Sequence, residues 1–251
     1  MFKYFFGLVS FFYILSFSTP AFASTSLFVL GPPVGRAAFE ELIKSYEKSH
    51  SDVKIQITYA ASAITMATVK SGASVDVAYI PLNLEEKDES FFDSKMIAFR
   101  NHTEIVVSKK ASSKIKTPKD LGNKGIRLGG GTSGSVVETY QTKMLTNLSK
   151  SFGADLVEKY KENVVTTNAV SSKFLDQMDS DAIDAAILVS SEIPAGKYVV
   201  LDVPTDMPAI NTYVGAVVKS SKNIFVAKDF LAFTISSSAQ AAWKLSHFDV
   251  K

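Results

Sequence analysis

Apolar and polar positions along the chain repeat with two periods. Leu27-Phe28-Val29-Leu30 is an apolar run closed by Gly31-Pro32-Pro33, and Phe39, Leu42, Ile43 and Tyr46 follow at helical spacing. This pattern predicts a strand, a tight loop and an amphipathic helix. Val53, Ile55, Ile57 and Tyr59 alternate with Lys54, Gln56 and Thr58, as in a strand with one wetter face. A short helix through Met66 and Val69 ends at Gly72, and Val75 to Ile80 reads as a third strand. Such alternation implies a mainly parallel sheet with helices on both faces.

A second unit has the same plan. Thr117-Pro118-Lys119-Asp120-Leu121-Gly122 fits a one-turn helix, with a capping residue, a proline at the first position and a terminating glycine. Ile126-Arg127-Leu128 then predicts a strand, Gly129 to Ser135 a loop, and Val137, Tyr140, Met144 and Leu148 one face of a helix. Val164 to Thr166 and Ala185 to Val189 read as further strands around a helix with Phe174, Leu175 and Met178. Glu104 to Ser108 and Thr212 to Lys219 fit crossover strands, with closing helices near Phe230 and Trp243 returning to the first unit. The expected fold is therefore α/β and two-lobed with two crossover strands as hinge: lobe one from 24–105 and 215–251, lobe two from 106–214. No internal sequence repeat stands out.

The first 23 residues read as a signal peptide. Lys3 precedes an apolar stretch from Tyr4 to Phe17, and Ala21-Phe22-Ala23 offers a small-x-small cleavage site. The stretch is short for a membrane span of about 20 residues, and no later run could span. A mature chain beginning at Ser24, released to the periplasm without stable membrane insertion, is expected.

The 251 residues carry 27 Lys+Arg and 25 Asp+Glu, a formal net charge of +2. So balanced a chain speaks against nucleic-acid binding, which needs a concentrated basic face. Cysteine is absent, which excludes disulfides, zinc-thiolate sites, a cysteine nucleophile and a lipidated cysteine. His50, His102 and His247 are isolated from one another, with no metal-ligand spacing. No catalytic residue, metal or cofactor is expected; a hydrolase or transferase on this scaffold is a remote alternative.

Ligands of open α/β sheets sit beyond the carboxyl ends of strands, where helix amino termini offer unpaired N–H groups. Three segments fit that position: Gly31 to Gly35 with Pro33 and Val34, Ala60 to Ala63 with Ser62, and Gly129 to Ser135. Asn168-Ala169-Val170-Ser171 is a fourth. Backbone amides and hydroxyls at helix starts favour an anion or a carboxylate. In the third segment glycines would let the backbone approach a ligand while Thr132, Ser133 and Ser135 add donors around Gly134. These hydroxyls equally suit ordinary caps and turns. Arg36 reads either as a partner of a ligand carboxylate or as a solvated side chain. The glycine spacing matches neither a phosphate-binding P-loop nor a dinucleotide fingerprint.

The stretches Leu27 to Tyr46, Ile57-Thr58-Tyr59-Ala60-Ala61-Ser62-Ala63 through Val77, and Ala227 to Gln240 resemble the periplasmic molybdate-binding proteins of ABC importers. The resemblance implies the type II two-lobed fold, a small oxyanion held by backbone N–H groups and hydroxyls, and delivery to an ABC permease. Ser62 matches the serine of that family's second loop, and Val137 and Val170 fall where its members contribute backbone N–H groups. Val34 and Val189 stand where the family has a serine and a tyrosine, so molybdate itself is not implied. Gly31-Pro32-Pro33, Thr132-Ser133-Gly134-Ser135 and the Asn168 to Ser171 segment also resemble the accessory colonisation factor and major antigenic peptide branch. That branch implies small carboxylate, phosphate or sulfate-like ligands. It also carries an alternative role as a free-standing binding protein in colonisation, adhesion or chemotaxis.

Overall fold

The computed structural model describes residues 24–85 and 88–249; the expected signal peptide, 1–23, lies outside them. The first unit runs β1 (Thr25–Gly31), a 3-10 turn (Pro33–Gly35), α1 (Arg36–Ser49), β2 (Val53–Tyr59), α2 (Ser62–Lys70), β3 (Val77–Pro81) and α3 (Leu82–Glu85). The long β4 (Phe92–Val107) leads through a 3-10 helix (Pro118–Gly122) into β5 (Leu128–Gly131), α4 (Val136–Phe152), α5 (Leu156–Glu162), β6 (Val164–Asn168), α6 (Ser172–Asp179) and β7 (Ala185–Val189). A 3-10 turn (Ser190–Glu192) follows, then β8 (Val199–Val200), β9 (Ile210–Val218), α7 (Ile224–Thr234) and α8 (Gln240–Leu245).

Hydrogen bonding orders the strands β2-β1-β3-β9-β4-β7-β5-β6, with β8 paired to β4. β1 lies parallel between β2 and β3, and β5 lies parallel between β6 and β7. Beside β3 runs antiparallel β9, and beside β7 runs antiparallel β4. β4 pairs with β9 from Phe92 to His102 and with β7 from Thr103 to Val107, so one strand belongs to both lobes. The fold is the two-lobed periplasmic binding-protein fold.

Side-chain alternation gives each half-sheet two cores. In lobe one, Val77 and Tyr79 face Phe39, Tyr46, Phe230 and Trp243, while Ala78 and Ile80 face Met66 and Val69. The closing helices therefore pack on lobe one, where the fully buried Trp243 indole donates to the Thr234 carbonyl at 2.8 Å. In lobe two, Ile105, Val107 and Ile187 face Met144, Leu148 and Tyr160, while Val106, Ala186 and Leu188 face Phe174 and Met178.

Three readings of the sequence are revised. The first crossover strand, read from Glu104 to Ser108, begins earlier, at Phe92, and Phe92 to Asn101 is the first half of β4. Gly129, Gly130 and Gly131 lie in β5, not in a loop. A Cβ there would collide with the Phe174 ring, the Val164 side chain and the Glu138 backbone respectively, so these glycines admit neighbouring side chains and a helix, and not a ligand. A short repeat also emerges. Asp76 accepts from the Phe28 N–H at 2.8 Å and Asp184 accepts from the Arg127 N–H at 2.8 Å, each tying the start of its third strand to the first. The matched segments are Val75-Asp76-Val77-Ala78 and Ile183-Asp184-Ala185-Ala186.

Candidate ligand site between the lobes

Four helix starts meet on one cavity of ≈ 360 Å³ between the lobes. Lobe one contributes Pro33 and Val34 from the turn before α1, and Ala61 before α2. Lobe two contributes Val136 and Val137 from the first turn of α4, and Ala169, Val170 and Ser171 before α6. Gly35, Ala61 and Ser171, the residues capping α1, α2 and α6, make no side-chain cap hydrogen bond. Their first-turn N–H groups carry the positive end of the helix dipole. α4 differs: the Ser135 hydroxyl accepts from the Glu138 N–H at 3.1 Å, and the Glu138 carboxylate accepts from the Gly134 N–H at 2.6 Å.

The crossing strands form the floor through Asn101 and Thr103 of β4 and Asn211 and Tyr213 of β9, with Tyr140 of α4 at the side. Thr103 Oγ1 accepts from the Ala209 N–H at 2.7 Å, holding the two strands together where β4 changes lobes. Asn101 is 2% exposed; its Nδ2 donates to Ser191 Oγ at 3.1 Å, and its Oδ1 is buried without a partner. Burial pushes the phenols of Tyr140 and Tyr213 above their ordinary range, so both stay protonated donors.

Glu192 is the acidic residue of this lining. Its turn follows β7 and approaches the Pro33–Gly35 turn of lobe one. Ser190 anchors that turn, donating to the His247 carbonyl at 3.1 Å and accepting from the His102 N–H at 3.4 Å. Burial raises the Glu192 carboxyl above its ordinary value, against an opposing hydrogen bond from the Ser171 hydroxyl. Its Oε2 is buried without a partner.

The structure divides the residues anticipated from sequence. Pro33, Val34, Val137, Val170 and Ser171 line the inner cavity, together with Val189 at the end of β7. Ser62 and Ala63 line an adjoining outer cavity of ≈ 670 Å³, which shares Ala61, Val136, Tyr140, Asn211 and Tyr213 and adds Lys143. Thr132, Ser133 and Gly134 are exposed at the turn before α4, and Ser135 caps that helix. Asn168 donates to Gln177 Oε1 at 3.2 Å, and its carbonyl accepts from the Thr132 N–H, joining the two lobe-two loops behind the cavity. Arg36 stacks over the Tyr59 ring, 4.1 Å from its centroid, and pairs with Glu40 at 3.8 Å.

Sequence reasoning missed Asn101, Thr103, Tyr140, Asn211, Tyr213 and Glu192. Asn211 stands near the start of a mostly apolar strand and Glu192 follows the carboxyl end of a buried one, both available signals, whereas Asn101 lies among other polar residues of β4.

A family model for bacterial extracellular solute-binding proteins matches residues 27–249. YvgL of Bacillus subtilis (strain 168), named as a candidate ABC transporter substrate-binding lipoprotein, is 25% identical over 237 residues, 90% of this chain and 87% of its own length. The substrate-binding domain of a candidate molybdenum ABC transporter from Clostridium difficile superposes with a TM-score of 0.78 at 24% identity, covering 91% of this chain and 100% of that one. PEB3 of Campylobacter jejuni with L-phospholactate bound superposes at 0.70 and 16% identity, covering 90% of this chain and 100% of its own. No helix among the described residues is long and apolar enough to cross a membrane. With the family match running through both lobes, this chain belongs to the bacterial extracellular solute-binding proteins.

Proposed function

We propose that the protein captures a small anion, an oxyanion or a small phosphorylated or carboxylated acid, between its lobes and presents it to an ABC permease from the periplasm. Export would remove residues 1–23. The observation that carries this reading is the convergence of four helix amino termini, two from each lobe, on a cavity without a basic side chain in its lining. First-turn amides bind oxyanions through charge-assisted hydrogen bonds reinforced by the helix dipole, without a buried cation to neutralise. Molybdate and L-phospholactate, named for two structural relatives, fall within the anionic class.

The binding groups we propose are the amides of Val34, Val137 and Ser171 in the inner cavity and the Tyr140 and Tyr213 hydroxyls, joined on lobe closure by the Ala63 amide and the Ser62 hydroxyl from the adjoining outer cavity. Thr132 to Ser135 and Asn168 would set where α4 and α6 begin. Lobe one would comprise 24–105 and 215–251 and lobe two 106–214, closing by bending of β4 and β9. Strands that pass once each between two separately cored units supply such a hinge.

Melting curves of protein refolded free of ligand test this with sulfate, molybdate, phosphate and phospholactate. An anion at a hundred times its Kd should stabilise the fold by about 2.7 kcal/mol. If none of the four raises the melting temperature, the reading fails.

A further inference from the structure

The inner cavity attracts anions with amides yet contains a carboxyl group. Glu192 is the charged residue of its lining; Lys143 lines the outer cavity and not the inner. The turn that carries Glu192 is anchored, because Ser190 and Ser191 are hydrogen bonded to His247, His102 and Asn101. The group facing its carboxyl is the Ser171 hydroxyl, Tyr213 lies within electrostatic range, and one carboxyl oxygen is buried with no partner. Two negative groups brought together in a desolvated site repel strongly, whereas one proton shared between them turns repulsion into a hydrogen bond.

Resting on the anion reading above, we propose that the complex holds one proton between Glu192 and the bound anion, which makes Glu192 the residue that selects for protonation. When the anion has no proton of its own, as with sulfate near neutrality, the carboxylate takes one from solvent and donates it through the free Oε2. When the anion carries a proton, as phosphate does, Glu192 remains ionised and accepts it. In both cases the balance is one proton for the pair, with no bond made or broken other than O–H. The two phenols cannot supply this proton by ionising, because burial holds them protonated. The buried Oε2, which no protein group engages, fits this role.

Calorimetry of the full mature protein across pH 5 to 8.5, in buffers of different ionisation enthalpy, tests the proposal with sulfate and phosphate as probes. For sulfate the wild type should take up close to one proton per ligand at the alkaline end. Its affinity should fall about tenfold per pH unit once the free carboxyl is ionised. In E192Q the amide donates without titrating, so sulfate affinity should become flat with pH and proton uptake should vanish. Phosphate should bind the wild type with little uptake and should bind E192Q more weakly. Melting of unliganded E192Q, unchanged or raised, separates this role from a structural one. Sulfate binding by the wild type that is independent of pH and free of proton uptake overturns the proposal while leaving the anion reading intact. If neither protein binds either anion at any pH, both fall.

Discussion

His102 stands on β4 where that strand passes between lobes, with Asp249 Oδ2 2.7 Å from its Nδ1 and Glu104 Oε1 3.1 Å from its Nε2. The Glu104 hydrogen bond, with help from Asp249 and against burial, raises the imidazole from its ordinary 6.5 to about 9. A group whose folded pKa is raised contributes stability fully present below its unfolded value and lost as pH rises through the folded one. The imidazolium should therefore stabilise the fold below about pH 6.5, with the contribution disappearing by about pH 9. Urea denaturation across that window should show stability declining in the wild type and a flatter profile in His102→Gln. Equal slopes would mean that the two carboxylates do not hold the charge. The Asp249 contact was not legible in the chain, being 147 positions away, although Glu104 stands two residues on along the same strand. Single residues became visible only where local chemistry marked them: Val137 and Ser171 begin helices, and helix starts follow from capping and periodicity. Asn101 depends on burial, which no local pattern reveals, whereas Glu192 was marked by its place after the carboxyl end of a buried strand.

Elements meet most closely where α4 starts above β5. A Cβ on Gly131 would collide with the backbone N and Cα of Glu138, and backbone cannot move aside as a flexible side chain can. Gly131→Ala should destabilise the protein by about 3 kcal/mol, the upper range for overpacking. Because α4 would have to lift from the sheet, anion affinity should fall as well. Denaturant unfolding and calorimetry on the same preparation check both, and a neutral substitution would show that α4 is not seated so tightly. The glycine run was conspicuous in the sequence, yet its purpose was misread, since glycine serves a close ligand and a close helix by the same lack of a side chain. Elements with strong periodicity were legible: α1 through Phe39, Leu42 and Tyr46, and β2 through its alternation. The first half of β4 was not, because Asp93, Ser94 and Lys95 break the apolar alternation beside a register shift against β9.

The whole molecule is two copies of a 2-1-3 strand order, each completed by an antiparallel strand that the other lobe shares in part or returns. That order places a switch point between β1 and β3 and another between β5 and β7, and in open α/β sheets ligands gather at such points. The Pro33–Gly35 and Ser190–Glu192 turns occupy these positions and face each other. Two lobes and two crossings could be read from the succession of strands and helices, since alternation and chain length constrain topology. The floor of the cavity could not, because it is made where β4 and β9 run side by side, more than a hundred residues apart in sequence. Ile64, Val136, Val170 and Ile210 are exposed apolar side chains distributed over both lobes near the cavities. Closure over a ligand would remove such surface from water, adding a favourable term to binding.

The central claim is that helix-start amides of both lobes hold the anion. Amide chemical shifts of isotopically labelled, ligand-free protein, followed through a titration with whichever anion gives the largest melting shift, test it most directly. The account predicts saturable shifts, with one common affinity, at the N–H groups of Val34, Ala63, Val137 and Ser171, and little change in the buried strands around Trp243. Saturable binding that shifts amides elsewhere, or in one lobe alone, would contradict it.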